Sequence, residues 1–383
     1  MDHDLFISED DYGESDELSE SIEDYLDQMH GEVSRTFDAA LQKLSGDLRR
    51  EVQVGYLMCR IPDTIEDSDR LSGAEKYDLL NQYRDVLDEP SQRNVGEFVR
   101  DVFDALDREQ VGGFGDQNSG SNRGGVGEIG SHAYGSEQEL RYWDLVKNTH
   151  AVTHAFQRFD DEIREYMRDA VDEMSEGMAK YSRRAFENGY QGIRIKDFDE
   201  LEDYCHYVAG TVGELLTDIF SEHEELPKET EKYSEGFGQF LQTVNILKDP
   251  VEDLEEESAV FIPEEALEPG QNHRDLVQSL RNRDPERLNQ PIHELIERAE
   301  TKSEDAKRYI ETVPENSEIR GYVEVPFLLA EATLREAKEE PGKMVEEELS
   351  IDREEVFEIL KQSGENNLAQ NIEKIEERPL HST

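Results

Sequence analysis

Three pairs of aspartates stand four residues apart in this chain: Asp63/Asp67, Asp199/Asp203 and Asp249/Asp253. On a helix that spacing brings both carboxylates to one face. Two such pairs on facing helices would bind hard divalent cations. Mg2+ in particular uses one or two carboxylates together with waters and phosphate oxygens. The chemistry implied is diphosphate binding through bridging Mg2+, with ionisation of a diphosphate ester as one candidate reaction. With 34 Asp in 383 residues, about three such pairs arise by chance, so context has to separate them.

Asp63 and Asp67 end an apolar stretch that begins at Glu51, with Arg60 one turn before Asp63. Asp249 and Asp253 end GQFLQTVNILKDPVED (238–253). There Gln242, Asn245, Asp249 and Asp253 form one polar stripe, opposite Phe237, Leu241, Val244 and Val251. A solvated face would carry Glu and Lys, so Gln and Asn beside Asp predict a polar-lined interior. Asp199 and Asp203 sit in the acid-rich start of a helix, and an N-terminal preference for acids explains that pair. Arg60, and Arg35 in SRTF (34–37), are candidate diphosphate ligands, because guanidinium matches phosphate oxygens bidentately. In YCHYVAGTVG (204–213), Gly210 and Gly213 interrupt a helical pattern. Each costs about 1 kcal/mol relative to Ala. Close helix approach or room for a ligand would justify them. Tyr204 in the same segment could donate a proton or a hydrogen bond near a diphosphate, or serve as a packed core aromatic.

Two further patterns carry less. Gly125–Gly130 spells G-x-G-x-x-G, but no hydrophobic strand precedes it, as a dinucleotide fingerprint requires. His150 and His154 are four apart on an expected helix with no third Cys or His ligand nearby, which favours packing over metal binding.

The elements that must position these residues are helices. Apolar residues recur three or four apart over 31–50, 51–68, 91–108, 137–158, 160–190, 198–220, 229–253, 288–313, 320–338 and 351–363. Strict strand-like alternation is hard to find, so an all-α fold is expected. Residues 1–24 read as an acidic disordered tail, 111–136 as a Gly/Ser-rich loop, 252–269 as an acidic connector and 376–383 as a second tail. A single domain over 25–375 remains. Pro62 and Pro250 each remove a helical backbone bond, so kinks are expected beside both aspartate pairs.

Composition narrows the classes. Lys and Arg number 41 against 93 Asp and Glu, a net charge of −52. That opposes binding to nucleic acid and to anionic membranes, both of which need basic surfaces. Like charges at this density repel, and molar salt would screen them. A salt-adapted protein is therefore expected. Two cysteines, Cys59 and Cys205, make no disulfide scaffold. With no apolar run of about 18 residues and no basic leader, a cytoplasmic chain without a membrane span is expected.

Taken together, SRTF (34–37), DTIED (63–67), YCHYVAGTVG (204–213) and FLQTVNILKDPVED (240–253) resemble the squalene/phytoene synthase family, in matching order, over roughly residues 30–340. DTIED, FIPEEAL (261–267) and VPFLLAEATL (325–334) look closer to its squalene synthases, whereas VAGTVGELLT (208–217) is also similar to bacterial dehydrosqualene synthases. The resemblance implies an isoprenoid synthase type helical bundle around a central cavity. It implies head-to-head condensation of two farnesyl diphosphates through presqualene diphosphate, with NADPH reduction to squalene. A phytoene or dehydrosqualene synthase without reduction is the alternative, and a non-catalytic helical scaffold a more distant one. Asp63, Asp67, Asp249 and Asp253 would hold Mg2+. Ser34, Arg35, Arg60, Gln242, Asn245 and Lys248 would contact substrate, with Lys248 standing where Arg is common. Tyr56 and Tyr204 would be the active-site tyrosines. The resemblance identifies no NADPH site. A monomer is the default, and a hydrocarbon product makes peripheral membrane contact plausible.

Overall fold

Apolar stripes at helical spacing have to be buried against one another. In the computed structural model they are, across the described residues 18–88, 92–112, 136–346, 349–365 and 367–378. The helices are α1 (Glu20–Val33), α2 (Arg35–Leu41), α3 (Gly46–Asp67), α4 (Gly73–Asp88), α5 (Gln92–Gly112), α6 (Glu137–Lys147), α7 (Thr149–Phe156), α8 (Asp161–Glu187) and α9 (Phe198–Cys205). They continue with α10 (Thr211–His223), α11 (Glu229–Lys248), α12 (Pro250–Glu256), α13 (His273–Arg281), α14 (Pro285–Thr312), α15 (Glu318–Glu339), α16 (Lys343–Glu346), α17 (Arg353–Gln362) and α18 (Leu368–Glu377). The one β-type contact among the described residues is a single parallel bridge between Arg194 and Val260. The protein is all-α, as its periodicity predicts.

Helix α11 lies between α14 and α10, α8 packs on α4, α3 and α10, and α15 closes the bundle against α2, α11 and α14. One connected core runs from Ile22 to Ile375. No described helix is long and apolar enough to cross a membrane.

The helix breaks fall where local chemistry places them. The stretch expected over 31–50 is three pieces, because Ser34 accepts the Phe37 amide at 3.2 Å and starts α2, and Ser45 precedes α3. The stretch over 137–158 divides at Asn148. The stretch over 229–253 divides at Asp249, whose φ of −130° and ψ of 41° leave the helix; Pro250 then opens α12 at a position that needs no N–H donor. Pro62 behaves differently. Helix α3 continues through it. Pro62 cannot donate to the Met58 carbonyl, and the Tyr83 hydroxyl donates there instead at 3.1 Å. The side chain of Tyr83 thus replaces the lost backbone bond.

Other boundaries differ from expectation. Ser19 caps α1, so residues 20–24 are helical rather than tail, and α18 likewise extends through 376 and 377. Helices α4, α13, α16 and α18, and most of α1, were not expected. Residues 1–17 and 113–135, which hold most of the acidic tail and of the Gly-rich loop including Gly125–Gly130, lie outside the described residues.

Candidate active site

The C-terminal half of α3 presents Tyr56, Cys59, Arg60, Asp63 and Asp67 to one cavity of about 350 Å³. Across it stand Gln242 and Asn245 from α11 and Asp253 from α12. Tyr204 at the end of α9 forms part of the wall. Away from the acids the lining is apolar, with Val52, Leu215, Leu216, Ile219, Phe237 and Tyr322 among its members. The cavity therefore has a charged end and a greasy body.

Two acidic rows define the charged end. On α3, Arg60 is ion-paired to Asp63, and its guanidinium lies 4.2 Å from the centroid of the Tyr142 ring. On the other side, the Lys248 ammonium reaches Asp249 at 2.8 Å where α11 gives way to α12. Beyond Asp253, one turn further on, comes Glu257, also on the cavity wall. The chain then doubles back. The Ala259 amide donates to the Asp253 carbonyl at 2.9 Å, and Phe261 stacks on Tyr204 with centroids 5.0 Å apart.

These carboxylates press on one another. Burial, then the charge of Asp63, drives the Asp67 carboxyl well above the usual carboxylate range. Burial, then Asp249, does the same to Asp253. Glu257 is raised by burial and then by Asp67 and Asp253, one from each row, so it stands between them. Glu66, 4% exposed behind the α3 row, is pushed up to about 7 by burial, with Lys76 opposing. Lys76 is itself buried and donates to the Glu66 carbonyl at 2.5 Å. The Tyr204 hydroxyl donates to the Glu66 carboxylate at 3.2 and 3.3 Å. Burial and then Glu66 hold that phenol well above its ordinary value, so it stays protonated. Tyr56, its hydroxyl donating to the Val33 carbonyl at 3.3 Å, is pushed up to about 12 by burial.

The structure thus gathers Tyr56, Arg60, Asp63, Asp67, Tyr204, Gln242, Asn245 and Asp253 around one space. Lys248 and Asp249 flank it, tied to each other rather than on its wall. Ser34 is absent from the lining and serves as the α2 cap. Arg35 opens α2, with its side chain outside the described set. Glu66, Glu257 and Lys76 were not anticipated. Glu257 was readable, since it continues the Asp249, Asp253 spacing by four more residues. Lys76 had no local signal; only the packing of α4 brings it to Glu66. His150 and His154 sit on α7, and burial lowers both imidazoles.

The donor set suits a hard divalent cation, being all oxygen. Among the described residues no three His, Cys, Asp or Glu side chains close on a common metal position. Each row would therefore offer one or two carboxylates, leaving the remaining positions to water or a phosphate-bearing ligand. Gly213 and Gly238 have a packing reason. A Cβ on Gly213 would stand 2.2 Å from the Ser234 carbonyl oxygen, and one on Gly238 2.0 Å from that of Ala209. Close helix approach is what glycine permits here. A Cβ on Gly210 would meet the flexible Glu235 side chain at 2.9 Å and His206 Nδ1 at 3.3 Å.

Known proteins resemble this chain over most of its length. A squalene synthase from Phoma sp. is 28% identical over 81% of the chain and 64% of its own. A protein from Arabidopsis thaliana described as an inactive squalene synthase 2 is 31% identical over 61% of the chain and 45% of its own. The chain spans about three fifths of the length of most curated relatives it matches. Among solved structures, a ligand complex of TcSQS superposes with a TM-score of 0.71 at 20% identity, covering 93% of this chain and 90% of that one, which establishes a shared helical fold. The sequence model of the squalene/phytoene synthase family matches residues 30–355. On that match, which takes in both aspartate rows, the chain belongs to the squalene/phytoene synthase family.

Proposed function

We propose that the protein is a squalene synthase: a prenyltransferase that joins two farnesyl diphosphates head to head through presqualene diphosphate and reduces that intermediate to squalene. The observation that carries this reading is the single cavity with facing carboxylate rows at one end and an apolar body behind them. A prenyl diphosphate has the same division into a polyanionic head and a hydrocarbon tail. The similarity to squalene synthases supports the choice within the family.

Mg2+, held by Asp63 and Asp67 on one side and Asp249 and Asp253 on the other, would neutralise the diphosphate and ease its departure. The chain's own residues do the rest. Arg60 adds a fixed cation that stays charged, because the cost of its burial is outweighed by Asp63, Tyr56, Asp67 and Tyr142 together. Gln242 and Asn245 give neutral hydrogen bonds at the rim. Tyr204 and Tyr56, both held protonated, are not bases; their O–H groups are given to Glu66 and to the Val33 carbonyl, which fixes the two rings in the wall. The apolar walls exclude water from the carbocation that ionisation creates. NADPH as the hydride source rests on the family resemblance, and no residue is assigned to it. Dependence on molar salt is proposed from the net charge.

The test is one incubation in molar KCl with Mg2+ and farnesyl diphosphate, with or without NADPH, analysed by gas chromatography and mass spectrometry. Squalene formed only with NADPH is the expected result. Dehydrosqualene formed regardless of NADPH would assign the protein to the non-reducing branch. No product from farnesyl or geranylgeranyl diphosphate would overturn the prenyltransferase reading and favour the scaffold.

A further inference from the structure

One irregular turn forms part of the cavity wall. Residues His206–Gly210 make a π turn between α9 and α10. Such turns are frequent at functional sites. Val208 and Ala209 in the turn, and Tyr204 just before it, face the cavity. The turn is wedged between two helices. A Cβ at Gly177 of α8 would lie 2.1 Å from the Tyr207 ring, and the Gly238 contact of α11 with Ala209 is as tight.

One side chain ties both helices to this turn. His206 Nε2 is 3.1 Å from the Glu173 carboxylate on α8, and its Nδ1 is 3.1 Å from the Glu235 carboxylate on α11. An ionised carboxylate only accepts, and a neutral imidazole carries one N–H, so both bonds exist together only in the imidazolium. Glu235 also accepts from Gln239 at 2.7 Å, whose amide oxygen accepts from Lys302 at 2.6 Å. The other charges facing the ring are Glu214 on α10 and Asp203 on α9, the latter bound to Lys180 of α8 at 2.7 Å.

We propose that His206 is a positioning residue for the condensation proposed above: its doubly bonded imidazolium ties α8 to α11 across the π turn and so fixes the wall carrying Tyr204, Val208 and Ala209. The inference rests on that reading of the function for its effect on turnover, but not for the clamp itself. Burial alone would lower the imidazole pKa, yet the Glu173 hydrogen bond and the Glu235 and Glu173 charges raise it above the ordinary value. The sign follows. A raised imidazole is charged at and below its ordinary pKa, so the clamp is closed there, and it opens as pH rises through the raised value.

Two measurements test this on the full chain in molar KCl. The first is an NMR titration of the His206 Cε1 proton in the wild type and in Glu173→Gln, a change at a half-exposed side chain that leaves the fold intact. The pKa is expected above that of an ordinary histidine in the wild type and lower in the variant. This arm needs no turnover, so it decides the clamp even if the proposed activity fails. The second is the pH profile of kcat and KM. His206→Gln should lower kcat on the order of tenfold, the scale of a small misplacement of cavity groups. KM should move little, and the alkaline limb expected of the wild type should be absent. Glu173→Gln should shift that limb to lower pH and so covers the case in which His206→Gln does not fold. A wild-type imidazole at or below the ordinary pKa, or an alkaline limb unmoved in the folded variants, would overturn the proposal.

Discussion

Two clusters of buried and half-buried acids in this molecule are treated in opposite ways. Where α15 meets α17 and α18, Glu324, Glu336 and Glu355 are 1, 1 and 2% exposed. Each has a guanidinium. Arg320 holds Glu324 at 2.5 Å, and Arg335 holds Glu336 at 2.5 Å and Glu355 at 2.8 Å. The second Glu324 oxygen accepts the Gly364 amide at 2.8 Å. At and beside the cavity, the described cations next to Asp63, Glu66, Asp67, Asp249, Asp253 and Glu257 are Arg60, Lys76 and Lys248. Paired buried charge is structure. Carboxylates crowded against one another at a cavity are tolerated where a bound cation adds charge, and folds break their own rules mainly at functional sites.

The largest effect that sharpens this contrast comes from Asp63→Asn or Asp253→Asn. Either should cut turnover by about 10²–10³-fold, as removal of a transition-state electrostatic contact does. The unfolding midpoint of Asp253→Asn in Mg2+-free buffer should hold or rise, because a repelling charge is gone, whereas Asp63→Asn also takes away the ion-pair partner of Arg60. Product assays paired with thermal denaturation check both halves, and a marked loss of stability in Asp253→Asn would place that acid with the structural ones. Next is Glu324→Gln, which leaves Arg320 buried without its counter-charge. It should lose about 3–5 kcal/mol of stability by chemical denaturation, with turnover per folded molecule unchanged. Smaller is the gain from Mg2+ alone. At about 100 times its Kd the ion should stabilise the wild type by about 2.7 kcal/mol, measured as a shifted denaturation curve. Asp63→Asn should lose most of that gain and Glu324→Gln none. Smallest is a change in salt slope. Lowering KCl from about 1 M to 0.1 M lengthens the Debye length from about 3 Å to 10 Å. The wild type should lose stability over that range, and Asp253→Asn slightly less.

The helices and the make-up of each acidic row were legible because both are periodic features. Gln242, Asn245 and Asp253 recur at helical spacing and arrive on one face. The break at Pro250 was legible as well, since proline acts locally. The uninterrupted passage through Pro62 was not, because its remedy is Tyr83 from another helix. Helix α4 carried a readable signal in Leu79, Leu80, Tyr83, Val86 and Leu87, all buried in the fold. Lys76 behind Glu66 and the His206 contacts to Glu173 and Glu235 depend on which helices pack together, and no spacing along the chain encodes that. Ser34 was read as a substrate contact, and its local bond to the Phe37 amide, which caps α2, was an additional role that the sequence reading did not weigh.

The most direct test of the central claim is calorimetric binding of a thiodiphosphate analogue of farnesyl diphosphate, which resists ionisation. Wild type, Asp63→Asn, Asp253→Asn and Glu324→Gln would each be titrated with Mg2+ and again with a chelator. Binding that requires Mg2+, weakens sharply in both aspartate variants and survives in Glu324→Gln is the predicted result. Binding indifferent to the chelator and to both aspartate substitutions would contradict the account, because the carboxylate rows would then hold no cation for a diphosphate.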